Sequence, residues 1–223
     1  MIKMPQPELI IFDCDGVLVD SEPLSNRIMA TYLTEIGLTI STAQTIERFV
    51  GLSMATMRKN IQAEDGLVLP DDFEEEVLRR DHLAFATDLR AIDGVPAVLD
   101  GLTIAKCVAS SGEHRKIRNS LTLTNLLHFF DGNIYSAADV ENGKPAPDLF
   151  LHAARQMNTL PDRTIVIEDS LAGVQAGVAA GMRVFGFLGG GHIAGGHGDR
   201  LLAAGAHLVF DQMNDLEELV MAL

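Results

Sequence analysis

The sequence predicts an α/β protein in which a parallel sheet is flanked by helices and a small all-helical module is inserted after the first strand. Short, continuous apolar runs that alternate with helical patterns predict the sheet, because strands covered on both faces read this way. A series of helical segments without a convincing strand, between about Pro23 and Leu89, predicts the insertion. We therefore expect a discontinuous core of residues 1–20 and 90–223, and a helical cap of residues 21–89.

The elements follow in chain order. The first strand is the β-rich run LIIF, residues 9–12, which acidic residues and glycine follow at once. Segments that begin at Ser25, Ala55 and Asp71 repeat apolar residues at helical spacing and predict the cap helices. The strands predicted beyond Asp93 are 104–109, 133–136, 164–167, 183–188 and 207–210. The helices predicted between and after them are 114–123, 147–157, 170–180 and 216–223.

Composition limits the possible partners. The chain has 223 residues, 47% of them hydrophobic, so that it can bury a substantial core. The formal net charge of -14 disfavours binding to nucleic acid or anionic membranes, and any phosphorylated substrate would need local cations.

Without a signal peptide or a spanning segment, we expect a cytoplasmic protein, as a monomer or homodimer. Cys14 and Cys107 lie in apolar runs and are expected to be buried thiols.

An acidic motif, DCDGVLVD, follows the first strand directly and runs from Asp13 to Asp20. Side chains two residues apart at a strand end point to the same side, so the carboxylates of Asp13 and Asp15 should converge. Two such carboxylates repel each other unless a proton or a metal ion offsets their charge. Gly16 lets the chain turn or approach a ligand. Taken alone, the motif could equally be an acidic turn with an aspartate as helix cap.

Other polar residues fall where the predicted strands end, or in loops at the same edge, and open α/β sheets bind ligands there. Ser110 ends one strand, and Glu168 and Asp169 end another. Lys144 lies in the loop segment ENGKPAPD. Each has an ordinary alternative, as a capping hydroxyl, a surface lysine or a helix-capping carboxylate. Together, a hydroxyl, an ammonium group and carboxylates would form a site for phosphate and a divalent cation.

These motifs resemble, in order and spacing, those of the haloacid dehalogenase superfamily, in its phosphatase and β-phosphoglucomutase subgroup with a helical cap. DCDGVLVD resembles the first motif, VASSG the second, GKPAPD the third and IEDS the fourth. The resemblance covers nearly the whole chain and implies a Rossmann-like core. It implies an Mg²⁺-dependent phosphatase that acts on a small phosphorylated metabolite.

The resemblance also implies roles for individual residues. Asp13 would be the nucleophile that forms an aspartyl-phosphate, and Asp15 the general acid and base. Ser110 would bond a phosphoryl oxygen, and Lys144 would neutralise charge on the phosphate and on Asp13. The residues expected to contact the substrate are Gly16, Ser111 and Lys144.

The same resemblance implies a ligand set for Mg²⁺. The ion would be held by the Asp13 carboxylate, the Asp15 backbone carbonyl and Asp169. Glu168 would be a nearby or a direct ligand. Such a set suits Mg²⁺, which takes hard oxygen ligands and keeps several waters.

Two other functions stay open. β-Phosphoglucomutases share the four motifs, but they carry histidine where this chain has Ser25 and a phosphate-binding arginine where it has Met54. A mutase must hold a second phosphate, for which a thioether cannot replace a guanidinium. Glu113-His114 also replaces a basic or amide pair of the mutases. The third function, a non-catalytic binding module on the same fold, is disfavoured because no motif residue is missing.

The substrate depends on cap side chains, for which segments 20–25 and 51–54 are the candidates. Their scarcity of cations favours a neutral or polyhydroxylated leaving group, such as a sugar or sugar acid. A glycine-histidine segment, residues 189–198, fits no nucleotide fingerprint and predicts a mobile surface loop. Its two histidines, His192 and His197, make only a weak case for zinc.

Overall fold

The computed structural model of the protein describes residues 6–49, 54–130 and 132–223. By its internal contacts the chain divides into two compact units, Met1–Asp20 with Arg90–Leu223, and Ser21–Leu89. The first unit is α/β and the second is helical. That the helical unit acts as a cap on the other stays a prediction.

Within the described residues of the α/β unit, six strands form one parallel sheet. They are β1 (Leu9–Phe12), β2 (Ala105–Ser110), β3 (Ile134–Ser136), β4 (Thr164–Glu168), β5 (Arg183–Phe187) and β6 (Leu208–Phe210). Their order across the sheet is β3-β2-β1-β4-β5-β6. The chain therefore builds outward from β1 in one direction and then returns to its other side at β4. Such a reversal opens a crevice between β1 and β4 at the carboxyl edge, where this type of sheet binds ligands.

Helices cover the sheet and make up the second unit. Those of the α/β unit are α5 (Val95–Gly101), α6 (His114–Leu123), α7 (Asp148–Gln156), α8 (Leu171–Ala179), α9 (His197–Ala203) and α10 (Leu216–Met221). Those of the helical unit are α1 (Ser21–Glu35), α2 (Thr42–Phe49), α3 (Met54–Asp65) and α4 (Phe73–Asp88). Among the described residues, no helix is both long enough and apolar enough to cross a membrane.

Each unit has its own apolar core. The α/β core includes all four residues of β1, which are fully buried. The small residues of α8 let that helix lie close to the sheet, since a Cβ at Gly177 would fall 2.5 Å from a methyl group of Val184. In the helical unit, the rings of Tyr32 and Phe73 stack with their centroids 5.1 Å apart.

The predicted fold class, a parallel α/β sheet flanked by helices, is confirmed. Every predicted strand is present, with each end within one residue of its predicted place. Cys14 and Cys107 are buried free thiols, as expected. The sequence did not predict α2, α5 or α9. Of the expected cap contacts, residues 51–53 lie outside the described residues.

Candidate active site

Strand register brings Asp13 and Glu168 side by side at the carboxyl edge. Phe12 of β1 pairs with Ile167 of β4, so that the next residue on each strand is one of the two carboxylates. The backbone N–H of Asp13 extends this pairing by donating to the carbonyl of Ile167 at 3.0 Å. Neighbouring strands lie about 4.8 Å apart, which places the two acids within reach of a single cation.

The ammonium group of Lys144 is one such cation, and it connects the ends of three strands. Its Nζ donates to Asp13 Oδ1 at 2.7 Å, to Glu168 Oε1 at 2.7 Å and to the backbone carbonyl of Ala109, in β2, at 3.1 Å. The side chain is only 4% exposed, and its Nζ lies 4.9 Å from the ring centroid of Phe150. Charge-assisted hydrogen bonds in such a buried place are strong, because water does not screen them.

Burial and mutual charge set the ionisation of this cluster. Burial is the largest cause that raises the pKa of Asp13 well above its usual value; Lys144 opposes it, and Glu168 and Asp169 add to it. Burial also opposes the charge on Lys144, but Asp13 and Glu168 outweigh it and raise the pKa of that amine. Lys144 is therefore an ammonium ion at neutral pH. The excess of negative charge around Asp13 favours a further cation.

The acidic cluster fits a divalent cation. Asp13, Glu168 and Asp169 are buried, and each offers a carboxylate oxygen within 4.8 Å of the other two. Carboxylate oxygens are the hard ligands that Mg²⁺ prefers. With all three ionised, one ammonium group leaves about two negative charges, which a divalent ion would balance. Gly16, at φ +78°, leaves space here, since a Cβ on it would fall 1.9 Å from Asp169 Oδ2.

Both carboxylate oxygens of Glu168 are already hydrogen-bonded. Oε1 accepts from Lys144, and Oε2 accepts from the backbone N–H of Ser170 at 2.7 Å and from its hydroxyl at 2.9 Å. Ser170 is also the N-cap of α8 and accepts from the N–H of Gly173 at 3.0 Å. This arrangement fits Glu168 better as a residue that holds Lys144 beside the candidate metal site than as a direct ligand of a cation.

The remaining predicted residues occupy the neighbouring positions of the same edge. Ser110, which ends β2, is 1% exposed, and its hydroxyl accepts from the N–H of Gly112 at 3.3 Å. Ser111, the next residue, is exposed. The Oδ2 of Asp15 accepts from Lys116 Nζ at 2.9 Å.

Sequence reasoning missed Lys116, whose side chain is 47% exposed. It lies in the first turn of α6, which follows β2 and so begins at the carboxyl edge of the sheet. One signal was available, because His114, Arg115 and Lys116 place basic residues where the helix dipole favours acids. Basic residues in the first turn oppose the helix dipole. Their presence at the start of α6 therefore indicates a role other than stabilising that helix.

The expectation for the glycine-histidine segment needs correction. It forms a loop only as far as Gly196, because His197 begins α9. It is not merely a surface loop, since the side chain of His192 is 9% exposed and its Nε2 lies 3.1 Å from Asp169 Oδ2. His197 Nε2 lies 2.5 Å from the backbone carbonyl oxygen of Asp169. Nothing in the local sequence pattern indicated these contacts, which depend on how β4 and β5 pair.

Known proteins resemble this chain in sequence and structure. Residues 10–187 match the model of the haloacid dehalogenase-like hydrolase family. The 6-phosphogluconate phosphatase of Escherichia coli (strain K12) is 37% identical over 185 residues, which are 82% of this chain and 84% of the relative. The predicted resemblance to this superfamily, and within it to a bacterial 6-phosphogluconate phosphatase, is thereby confirmed. The expected enzyme class, a phosphoric monoester hydrolase, agrees with that relative.

Two solved structures have the same fold. A haloacid dehalogenase-like protein of unknown function from Agrobacterium tumefaciens str. C58 has a TM-score of 0.91 and 38% identity, covering 97% of this chain and 98% of its own. A haloacid dehalogenase family hydrolase from Deinococcus radiodurans R1, with bound phosphate and sodium, has a TM-score of 0.87 and 30% identity, covering 97% and 96%. This chain belongs to the haloacid dehalogenase-like hydrolase family.

Proposed function

We propose that this protein is an Mg²⁺-dependent phosphatase that hydrolyses a phosphorylated sugar or sugar acid through an aspartyl-phosphate on Asp13. One observation carries the proposal. Asp13, Glu168 and Asp169 form a buried carboxylate cluster, with Lys144 Nζ 2.7 Å from two of its members, at the strand reversal of the sheet. A phosphoryl group and a divalent cation together complement this distribution of charge.

In the first half of the reaction, a carboxylate oxygen of Asp13 attacks phosphorus and the bond to the leaving-group oxygen breaks. Asp15 gives its proton to that oxygen, so that the product leaves as a neutral alcohol. Lys144 and the hydroxyl of Ser110 bind phosphoryl oxygens, while the neighbouring Ser111 and Gly16 line the substrate site. Lys144 also holds Asp13 in place, which positions the nucleophile before substrate arrives.

In the second half, Asp15 removes a proton from a water molecule, and that water attacks the phosphorus of the aspartyl-phosphate. The acyl-phosphate bond breaks, Asp13 is regenerated and inorganic phosphate leaves. Asp13, Asp169 and the backbone carbonyl of Asp15 would hold Mg²⁺, which when bound offsets the negative charge of phosphate and carboxylates. Glu168 keeps Lys144 charged and oriented beside them.

The substrate class rests on the relatives and on the cap segments. The Escherichia coli relative acts, by its name, on the phosphate of a sugar acid. The segment 20–25 carries no basic residue, and Ser25 there donates to Asp81 Oδ2 at 3.1 Å within the helical unit. A polyhydroxylated leaving group, which needs no cation to bind it, suits a segment without basic residues. The mutase alternative would need a second phosphate site, and Ser25 and Met54 supply no cation for one.

The test is a screen for phosphate release from sugar phosphates, sugar-acid phosphates and nucleotides, with and without Mg²⁺. It compares the wild type, Asp13→Asn and a matched control, Asp100→Asn, which changes an exposed aspartate of α5. We expect metal-dependent hydrolysis of sugar or sugar-acid phosphates by the wild type and the control. Asp13→Asn should lose at least about a thousandfold in kcat, because the nucleophile is gone.

Trapping the intermediate adds a second readout. Acid quenching of wild type with a radiolabelled phosphosugar should leave label on the protein that hydroxylamine releases, and Asp13→Asn should carry none. Full turnover by Asp13→Asn would contradict the assignment of the nucleophile. A preference for nucleotides would contradict the substrate class, and an isomerised product that depends on a bisphosphate would favour the mutase.

A further inference from the structure

The glycine-histidine segment contacts Asp169 of the candidate metal site at two points and the end of the DCDGVLVD motif at a third. The N–H of Gly191 donates to Asp20 Oδ1 at 2.9 Å, which ties the segment to the end of the DCDGVLVD motif. His192 Nε2 lies 3.1 Å from Asp169 Oδ2, and His197 Nε2 lies 2.5 Å from the backbone carbonyl oxygen of Asp169. Two histidines from one segment therefore bind the side chain and the backbone of one carboxylate residue.

The partners of His197 define its tautomer. Its Nδ1 lies 3.1 Å from the guanidinium of Arg200, which can only donate, so Nδ1 must accept. Its Nε2 faces a carbonyl oxygen, which can only accept, so Nε2 must carry the hydrogen. Both contacts are satisfied by one neutral form of the ring. His197 is thus a directed donor to the backbone of Asp169.

The space around His192 is shaped for its ring. A Cβ on Gly16 would fall 2.9 Å from His192 Cε1, and a Cβ on Gly190 would also fall 2.9 Å from that atom. Two glycines from separate parts of the chain thus leave room for the imidazole. The side chains of His192 and Asp169 are 9% and 6% exposed, so their contact is largely protected from water.

From these contacts we propose that His192 and His197 are positioning residues that fix Asp169 for the divalent cation. The proposal rests on the proposed function, because it takes Asp169 to be a metal ligand. A donor on Oδ2 restricts rotation of the carboxylate and so limits the directions in which it can meet a cation. The bond from His197 fixes the backbone at the same residue. Partners of this kind orient metal ligands in general, and their loss typically weakens metal binding 10–100-fold.

The experiment measures Mg²⁺ binding to the metal-free protein by isothermal titration calorimetry, independently of turnover. His192→Gln keeps an N–H near the position of Nε2, and His192→Leu removes it at similar size. We expect Mg²⁺ affinity to fall about tenfold or more in His192→Leu and to stay within about threefold of wild type in His192→Gln. His197→Gln and His197→Leu form a second pair, with the same expected order.

Two controls separate this proposal from the proposed function. His128→Leu changes an exposed histidine of the α/β unit and should bind Mg²⁺ like wild type. Asp169→Asn should lose Mg²⁺ binding; if it does not, the proposed metal site itself is wrong. If Asp169→Asn loses binding while folded His192→Leu and His197→Leu keep it, only the role of the histidines is overturned. Equal losses in His192→Gln and His192→Leu would also overturn it.

Discussion

Lys144 is the residue on which the candidate site depends most directly. Its ammonium group joins Asp13, Glu168 and the end of β2, although its side chain is almost inaccessible to water. A buried charge is stable only when it is paired and hydrogen-bonded. Here the ammonium group of Lys144 is paired with the carboxylates of Asp13 and Glu168, and they are paired with it. Asp13 is consequently held in place before any substrate is bound.

Lys116 has a comparable relation to Asp15, on the more exposed side of the site. We predict that Lys116→Met lowers kcat on the order of tenfold and changes KM little, because Asp15 loses the partner that orients it. Lys116→Arg should retain most of the activity, since it keeps a charged donor. Steady-state kinetics on the preferred phosphosugar would measure both values.

Lys106→Met is the matched control for this prediction. Lys106 lies at the amino end of β2, away from the carboxyl edge, and its Nζ donates to the backbone of Leu102 at 2.9 Å. The kcat of the Lys106→Met enzyme should equal that of wild type. A Lys116→Met enzyme with normal kcat would show that the ion pair with Asp15 has no part in turnover.

At the scale of single residues, the sequence predicted which motif residues meet but not what orients them. Asp13, Lys144, Glu168 and Asp169 were predictable because each follows from a strand end or from a motif of the family. The two histidines of the glycine-histidine segment were not, and for Lys116 only the basic first turn of α6 gave a signal. Their roles depend on tertiary distances to carboxylates far away in the chain, and side-chain type alone does not encode such distances.

At the scale of elements, α8 shows how helix and strand support each other. The N-cap residue Ser170 donates to Glu168, so that the start of the helix receives a negative charge where its dipole favours one. Gly173 lies in the first turn and faces the same carboxylate. A Cβ on Gly173 would fall 1.8 Å from Glu168 Oε1, which is the oxygen that Lys144 binds.

We predict that Gly173→Ala lowers the free energy of unfolding by about 2 to 3 kcal/mol, because the added methyl group displaces a buried, hydrogen-bonded carboxylate. It should also reduce kcat, since Glu168 would no longer hold Lys144. Urea denaturation followed by circular dichroism measures the first effect.

Gly101→Ala is the matched control in another helix. The nearest heavy atom to a Cβ there is 4.0 Å away, so alanine should raise stability by about 0.5 to 1 kcal/mol through its better helix propensity. Gly173→Ala with unchanged or greater stability would contradict the close packing between α8 and Glu168.

The strands that the sequence predicted share one property, and the missed helices α5 and α9 lack it. The strands are continuous apolar runs bounded by polar turns, and burial on both faces makes such runs unambiguous. The helix α5 is seven residues long with proline and glycine, and α9 begins inside a glycine-rich stretch. Local propensity is weak in both, so that packing against the sheet decides their structure. The order of the strands likewise depends on packing.

At the scale of the whole molecule, the buried carboxylates make the free energy of unfolding depend on pH. Because burial raises the pKa of Asp13, the folded metal-free protein keeps a proton there at pH values where the unfolded chain, with a pKa near 3.8, has lost it. The folded state then binds more protons than the unfolded state. The contribution of Asp13 to the free energy of unfolding therefore falls as pH rises from about 4 to the raised pKa.

Mg²⁺ should reverse this trend, because the ion binds the ionised carboxylate and competes with the proton. We predict that Mg²⁺ at a hundred times its Kd at pH 8 raises Tm by about 5 to 10 °C at that pH, and that the same Mg²⁺ concentration raises Tm less at pH 5. Thermal unfolding with and without Mg²⁺ across that range measures it. Asp169→Asn should show no increase, and a larger increase at pH 5 would contradict competition between the ion and the proton.

The two places where the chain passes between its units lie side by side within the α/β unit. The N–H of Asp20 donates to the carbonyl of Arg90 at 3.0 Å, and Val19 pairs with Ala91 in an antiparallel bridge. The insertion thus begins and ends at one closed stem, like the loop of a hairpin. Replacing the 69 residues from Ser21 to Leu89 with a segment whose ends meet in the same way would therefore leave the register of the sheet unchanged.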